Sequence, residues 1–98
     1  MKSMIRLEII IDGLSTAELL TLIEPFPEVT CTIHRATACQ SRGNIITGDD
    51  LSDSLSSNLA ILFFPEDLYP KLQKALVKKL TSYAATVYES TCTSPSWL

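Results

Sequence analysis

The sequence predicts an α+β domain built on a four-stranded antiparallel sheet with two helices on one face. Two observations carry this prediction. Segments of period-two and helical apolar spacing follow one another as strand, helix, strand, long loop, strand, helix, strand. The chain is also 98 residues long with 46% hydrophobic and 19% charged residues, which suits one globular domain spanning residues 1–98.

Ile5, Leu7, Ile9 and Ile11 alternate with Arg6, Glu8 and Ile10, so the first segment is a strand with one apolar face. Asp12-Gly13 ends it. Ser15-Thr16-Ala17-Glu18 has the form of a capping box, and Leu19, Leu22, Ile23 and Phe26 recur at helical spacing, with Leu20 widening the stripe. Pro25 and Pro27 close that helix. Val29, Cys31 and Ile33 then alternate with Thr30, Thr32 and His34 in a second strand. From about Thr37 to Ser57 the chain is rich in glycine, serine and aspartate and reads as a long loop. Loops beyond about 12–15 residues inside compact domains are commonly functional, so activity is sought there first.

Leu59-Ala60-Ile61-Leu62-Phe63-Phe64 is apolar on both sides, as a central strand covered on each face would be. Pro65-Glu66-Asp67 opens a second helix in which Leu68, Leu72, Leu76 and Leu80 repeat at i+4, with Pro70 in its first turn. Ala85-Thr86-Val87-Tyr88 supplies the fourth strand, and residues 93–98 form a tail. This order is the ferredoxin-like β-α-β-β-α-β arrangement, which leaves one sheet face open. A domain of this size hides only roughly 60–65% of its unfolded surface. The apolar third strand and Ile10 therefore call for a cover, and a second copy of the chain is the economical one.

Charge and composition exclude several function classes. A net charge of −3 opposes nucleic acid as a partner, because phosphate binding is built from clustered Lys and Arg. Lys71, Lys74, Lys78 and Lys79 share the second helix. They suit its dipole as a solvated face, with a phosphate patch as the alternative. No apolar run reaches the length of about 18 residues that a spanning helix needs, and Met1–Asp12 is strand-like rather than a leader, so a cytoplasmic location without membrane insertion is expected. Cys31, Cys39 and Cys92 fit reduced thiols.

Candidate chemistry is sparse. Cys31 and His34 fall on opposite faces of a strand, which argues against a metal site, and Asp49, Asp50 and Asp53 lack the ligand pattern of a calcium loop. His34 is the one available base, and no nucleophile elbow accompanies it, so no catalytic residues are assigned and the chain is expected not to be an enzyme. Gln40-Ser41-Arg42-Gly43-Asn44 remains, and its hydroxyl, guanidinium, glycine and amide form either a phosphate cradle or a solvated turn.

With these residues in view the chain resembles the PII-like signalling proteins, in particular the branch that regulates bicarbonate uptake. The resemblance spans nearly the whole chain. It rests on Thr32-Ile33, Ser41-Arg42 with Asn44, Gly48, Asn58 and the Tyr83-Ala84-Ala85-Thr86-Val87-Tyr88 segment. It implies a homotrimer packed through its open sheet faces, with a T-loop, here about residues 40–57, that docks on a membrane transporter. Through that partner the protein would be membrane-associated. The ligand it implies is an adenine nucleotide, AMP, ADP, ATP or cyclic AMP, held between subunits, and no cofactor is required. Carried onto this chain, the nucleotide-binding set is Thr37, Ser41, Arg42, Gly43, Asn44, Ala85, Thr86 and Val87, and the partner-binding set is Ile45, Ile46, Leu51 and Leu55. Where relatives have several glycines this chain has Thr37, Ala38 and Gln40, and Ile45 replaces a second arginine. Each lost Arg–phosphate interaction costs about 1.5–3 kcal/mol, which lowers the affinity that the resemblance implies. Two competing readings are a diverged interaction protein that binds its partner without nucleotide, and a metal-binding trimer like the CutA proteins resting on Cys31, Cys39 and His34.

Overall fold

The computed structural model describes residues 2–35, 38–41, 44–47, 57–82 and 85–97. Its elements in chain order are β1 (Lys2–Asp12), α1 (Gly13–Ile23), β2 (Thr30–Arg35), β3 (Ala38–Ser41), β4 (Asn44–Thr47), β5 (Ser57–Pro65), a 3-10 turn (Glu66–Leu68), α2 (Tyr69–Leu80) and β6 (Thr86–Ser94). The main sheet is antiparallel in the order β2-β5-β1-β6, while β3 and β4 form a separate hairpin.

The alternation in β1 sorts its side chains as the sequence predicts. Ile5, Leu7, Ile9 and Ile11 are buried with Ala60, Leu62 and Phe64 of β5, beneath Leu19 and Ile23 of α1 and Leu72 and Leu76 of α2. Fully burying one such side chain contributes about 1.5–3 kcal/mol, so this one layer is the main source of stability. Phe64 also meets Tyr69 at a ring separation of 5.4 Å in a tilted arrangement, joining the end of β5 to the start of α2. Pro70 sits in the first turn of α2, where a missing N–H costs little.

Four details differ from the sequence reading. α1 begins at Gly13, so Ser15 lies inside the helix rather than at its cap. Leu20 is 46% exposed and points away from the core, because the 3.6-residue period carries it past the stripe that Leu19 and Ile23 bury. The long loop contains the β3–β4 hairpin, which pairs its backbone locally and so needs no apolar alternation to announce it. β6 continues through Ser94, taking in the start of the expected tail. There its polar, threonine-rich residues pair with the eleven-residue β1, and on an edge strand they need no burial.

Candidate functional site

Sheet register sets where the described candidate residues stand. β2 leaves the sheet at Arg35, opposite Asn58, and β6 enters it at Thr86, opposite Ile10. Since Ile11 pairs with Asn58, the two positions lie at the same end of the sheet. They are on opposite edges, three strand spacings or about 14 Å apart. The ligand set inferred from the sequence is thus split within one chain: the 37–44 segment continues from the β2 edge, and Ala85, Thr86 and Val87 belong to the β6 edge.

At the first edge, Ser41 pairs with Asn44, Gln40 with Ile45 and Cys39 with Ile46. The hairpin therefore connects through Arg42 and Gly43, which lie outside the described residues together with Thr37, Leu51 and Leu55. Asn58 ties this end down, because its Nδ2 donates to Thr16 Oγ1 at 2.8 Å and links the start of β5 to α1. The sequence marked Asn58 as part of a motif but not as this anchor.

At the second edge a cavity of about 480 Å³ opens between α2 and β6, with Leu7, Leu76 and Leu80 deep in it and Ala85 and Val87 on one wall. That volume falls in the range of about 300–1,000 Å³ typical of small-ligand sites. Gln73, Thr81 and Tyr69 supply its polar groups. Val77 and Val87, 51% and 42% exposed, form apolar lips. Such a lining suits a small, partly apolar group with polar atoms at its rim. Tyr69 is held there by its hydroxyl, which donates to Glu89 Oε1. Burial, the hydrogen bond to Glu89 and the charge of that carboxylate push the phenol up to about 12. Sequence reasoning missed this pair, because Tyr69 and Glu89 are twenty residues apart on different elements.

The open face of the sheet is the third feature. Cross-strand rows place His34, Leu59, Ile10 and Thr86 side by side, then Thr32, Ile61, Glu8 and Tyr88, then Thr30, Phe63, Arg6 and Ser90. Leu59, Ile61, Phe63 and Ile10 are only half-buried and Tyr88 is 61% exposed, so an apolar field remains uncovered where the sequence predicts one.

Other features carry less. Cys31 stands on the core side beside Leu62, where burial pushes its thiol up, and His34 is exposed on the opposite face. Among the described residues no group of three or more His, Cys, Asp or Glu side chains is placed to hold a metal ion. The side chain of Cys39 lies outside the described residues. Lys71, Lys74 and Lys78 line a broad hollow on the outer face of α2 and have no ion-pair partner among the described residues. Its walls come from a single helix, which makes it solvated surface. No helix among the described residues is long and apolar enough to cross a membrane.

No protein-family model matches the sequence, and no curated protein matches it. Solved structures do match the fold. CPII, a nitrogen regulatory PII-like protein from Thiomonas intermedia K12 bound to ADP, AMP and bicarbonate, superimposes with a TM-score of 0.78 at 17% identity. The match covers 92% of this chain and 86% of that one. A DUF3240-family protein from Shewanella baltica gives 0.76 at 10% identity, covering 100% of this chain and 99% of that one. A PII-like signalling protein from Thermus thermophilus gives 0.65 at 17% identity, over 93% and 88% of the two chains. The chain therefore has the ferredoxin-like fold of the PII-like proteins.

Proposed function

We propose that this protein is a non-enzymatic regulator of the PII-like kind, a homotrimer that binds an adenine nucleotide between subunits and signals through its T-loop to a membrane transporter, bicarbonate being the cargo that the resemblance favours. One observation carries the reading: β2, which leads into residues 37–44, ends on one edge of the sheet, and β6, which holds Thr86 and Val87, begins on the opposite edge at the same end. Within one chain the strand ends from which the two halves continue, Arg35 and Thr86, stand three strand spacings or about 14 Å apart. They meet when the β6 edge of one copy lies beside the T-loop base of the next, and the apolar open faces supply a reason for copies to associate. The similar fold of a PII-like protein bound to ADP and AMP supports the ligand class.

In this reading Ser41 and Arg42 take the phosphates, and Ala85, Thr86 and Val87 border the base. Ligand binding acts by favouring one T-loop state over another, which requires unequal affinity for the two. Ile45, Ile46, Leu51 and Leu55 are the apolar residues the loop offers to a partner. Calorimetry with AMP, ADP, ATP and cyclic AMP tests the proposal. Arg42→Ala should weaken binding at least about tenfold, the loss of one charge-assisted contact. Unchanged affinity removes that role from Arg42. The substitutions at Thr37, Ala38, Gln40 and Ile45 favour one second reading, a constitutive interaction protein, and silence across the whole panel would establish it over nucleotide sensing.

A further inference from the structure

Two charges stand in the middle of the apolar open face. Arg6 and Glu8 are neighbours on that face of β1, the strand between β5 and β6, and their side chains are 39% and 38% exposed. Arg6 Nη2 lies 3.2 Å from Glu8 Oε1, and its guanidinium carbon sits 5.7 Å from the centre of the Phe63 ring. Its Nε is shut off from water with no hydrogen-bond acceptor among the described residues. From the Met4 row to the Ile10 row, Arg6 and Glu8 are the two charged side chains of the face, with His34 at its β2 edge.

Covering this face with anything apolar would strip water from a guanidinium that already carries one unpaired N–H. An unpaired buried charge is strongly destabilising, whereas a buried pair with its remaining donors satisfied is tolerated. A second copy of the same face brings the missing group, because it presents another carboxylate beside another guanidinium. The patch is self-complementary in charge.

We infer that Arg6 and Glu8 form ion pairs between copies of the chain, each Arg6 reaching the Glu8 of a neighbour, and that this exchange fixes the register of the assembly and restricts it to like chains. Hydrophobic contact by Leu59, Ile61 and Phe63 is nondirectional and supplies the association. The charges select the partner, since any apolar face without the matching pair leaves them unpaired. The inference rests on the reading that open faces meet.

Charge exchange tests it. Arg6→Glu and Glu8→Arg are made separately, folding is checked by circular dichroism, and mass is measured by light scattering and native mass spectrometry. Each variant alone carries like charges at the patch and should lose the oligomer. An equal mixture should recover association between unlike chains, because each then offers what the other lacks; in a ring of three, two of the three contacts are of this kind. Recovery on mixing cannot arise from a pair confined within one chain. The near-isosteric Glu8→Gln should raise the concentration at which the oligomer dissociates by about tenfold or more. If wild-type chains assemble but all three variants assemble equally well, or native mass spectrometry of the mixture shows no association between unlike chains, the inter-copy pair is overturned and the face-to-face assembly stands. A wild-type chain that is monomeric at micromolar concentration overturns the assembly itself.

Discussion

Tyr69 is the residue whose chemistry the fold alters most. With its phenol pushed from 10.0 to about 12, the neutral form is favoured in the folded chain relative to the unfolded one. The stabilisation this gives is complete below pH 10 and is lost as pH rises toward 12, since the unfolded state ionises first. An ultraviolet titration of the phenols should therefore resolve a late step near pH 12 that disappears in Tyr69→Phe; the absence of that late step would refute the hydrogen bond to Glu89. At this scale the buried residues were readable in advance where the period was strict. Ile5, Leu7, Ile9 and Ile11 needed only alternation to be assigned, because a strand has two faces and the core takes one. Leu20 and Ser15 were not readable, since a helix stripe has soft edges and a cap depends on where the chain turns. The Tyr69–Glu89 contact depends on tertiary register, which no local spacing encodes.

Among the elements, α2 divides most sharply into a buried and a free side. Leu72 is fully buried and Val77, five positions on, is half exposed. Leu72→Ala should cost about 2–5 kcal/mol in urea unfolding, through lost contacts and the cavity left behind. Val77→Ala should change stability by about 0.5 kcal/mol or less, so similar losses at both positions would contradict the packing of the helix. Helices and central strands were legible because they bury apolar stripes. The β3–β4 hairpin and the second half of β6 were not. The hairpin strands are only four residues each and too short to show a period, and the second half of β6 carries the hydrogen-bonding residues that a loop would carry as well.

On the scale of the whole molecule, the open face and the divided ligand set point to the same association. Ile61→Lys places a charge next to Glu8 on that face without touching the core, so the chain should keep its far-ultraviolet dichroism and its mass should fall from oligomer to monomer by light scattering. Retention of the oligomer would move the contact to another surface. The sequence showed the uncovered apolar rows, because β5 lacks a polar side. That the proposed nucleotide-binding segments continue from opposite sheet edges needed the strand order, which is a property of the assembled sheet and not of any segment. That strand order has a consequence for synthesis as well. Ile9 of β1 leaves the ribosome early, yet its cross-strand partners are Ala60 and Val87, made much later. The first strand must wait, with four isoleucines and a leucine between Ile5 and Ile11, until most of the domain has been translated. Loop closure over such separations is slow, so the nascent domain is most open to misassociation at β1, and holding that strand apart from other chains is the task a chaperone would serve.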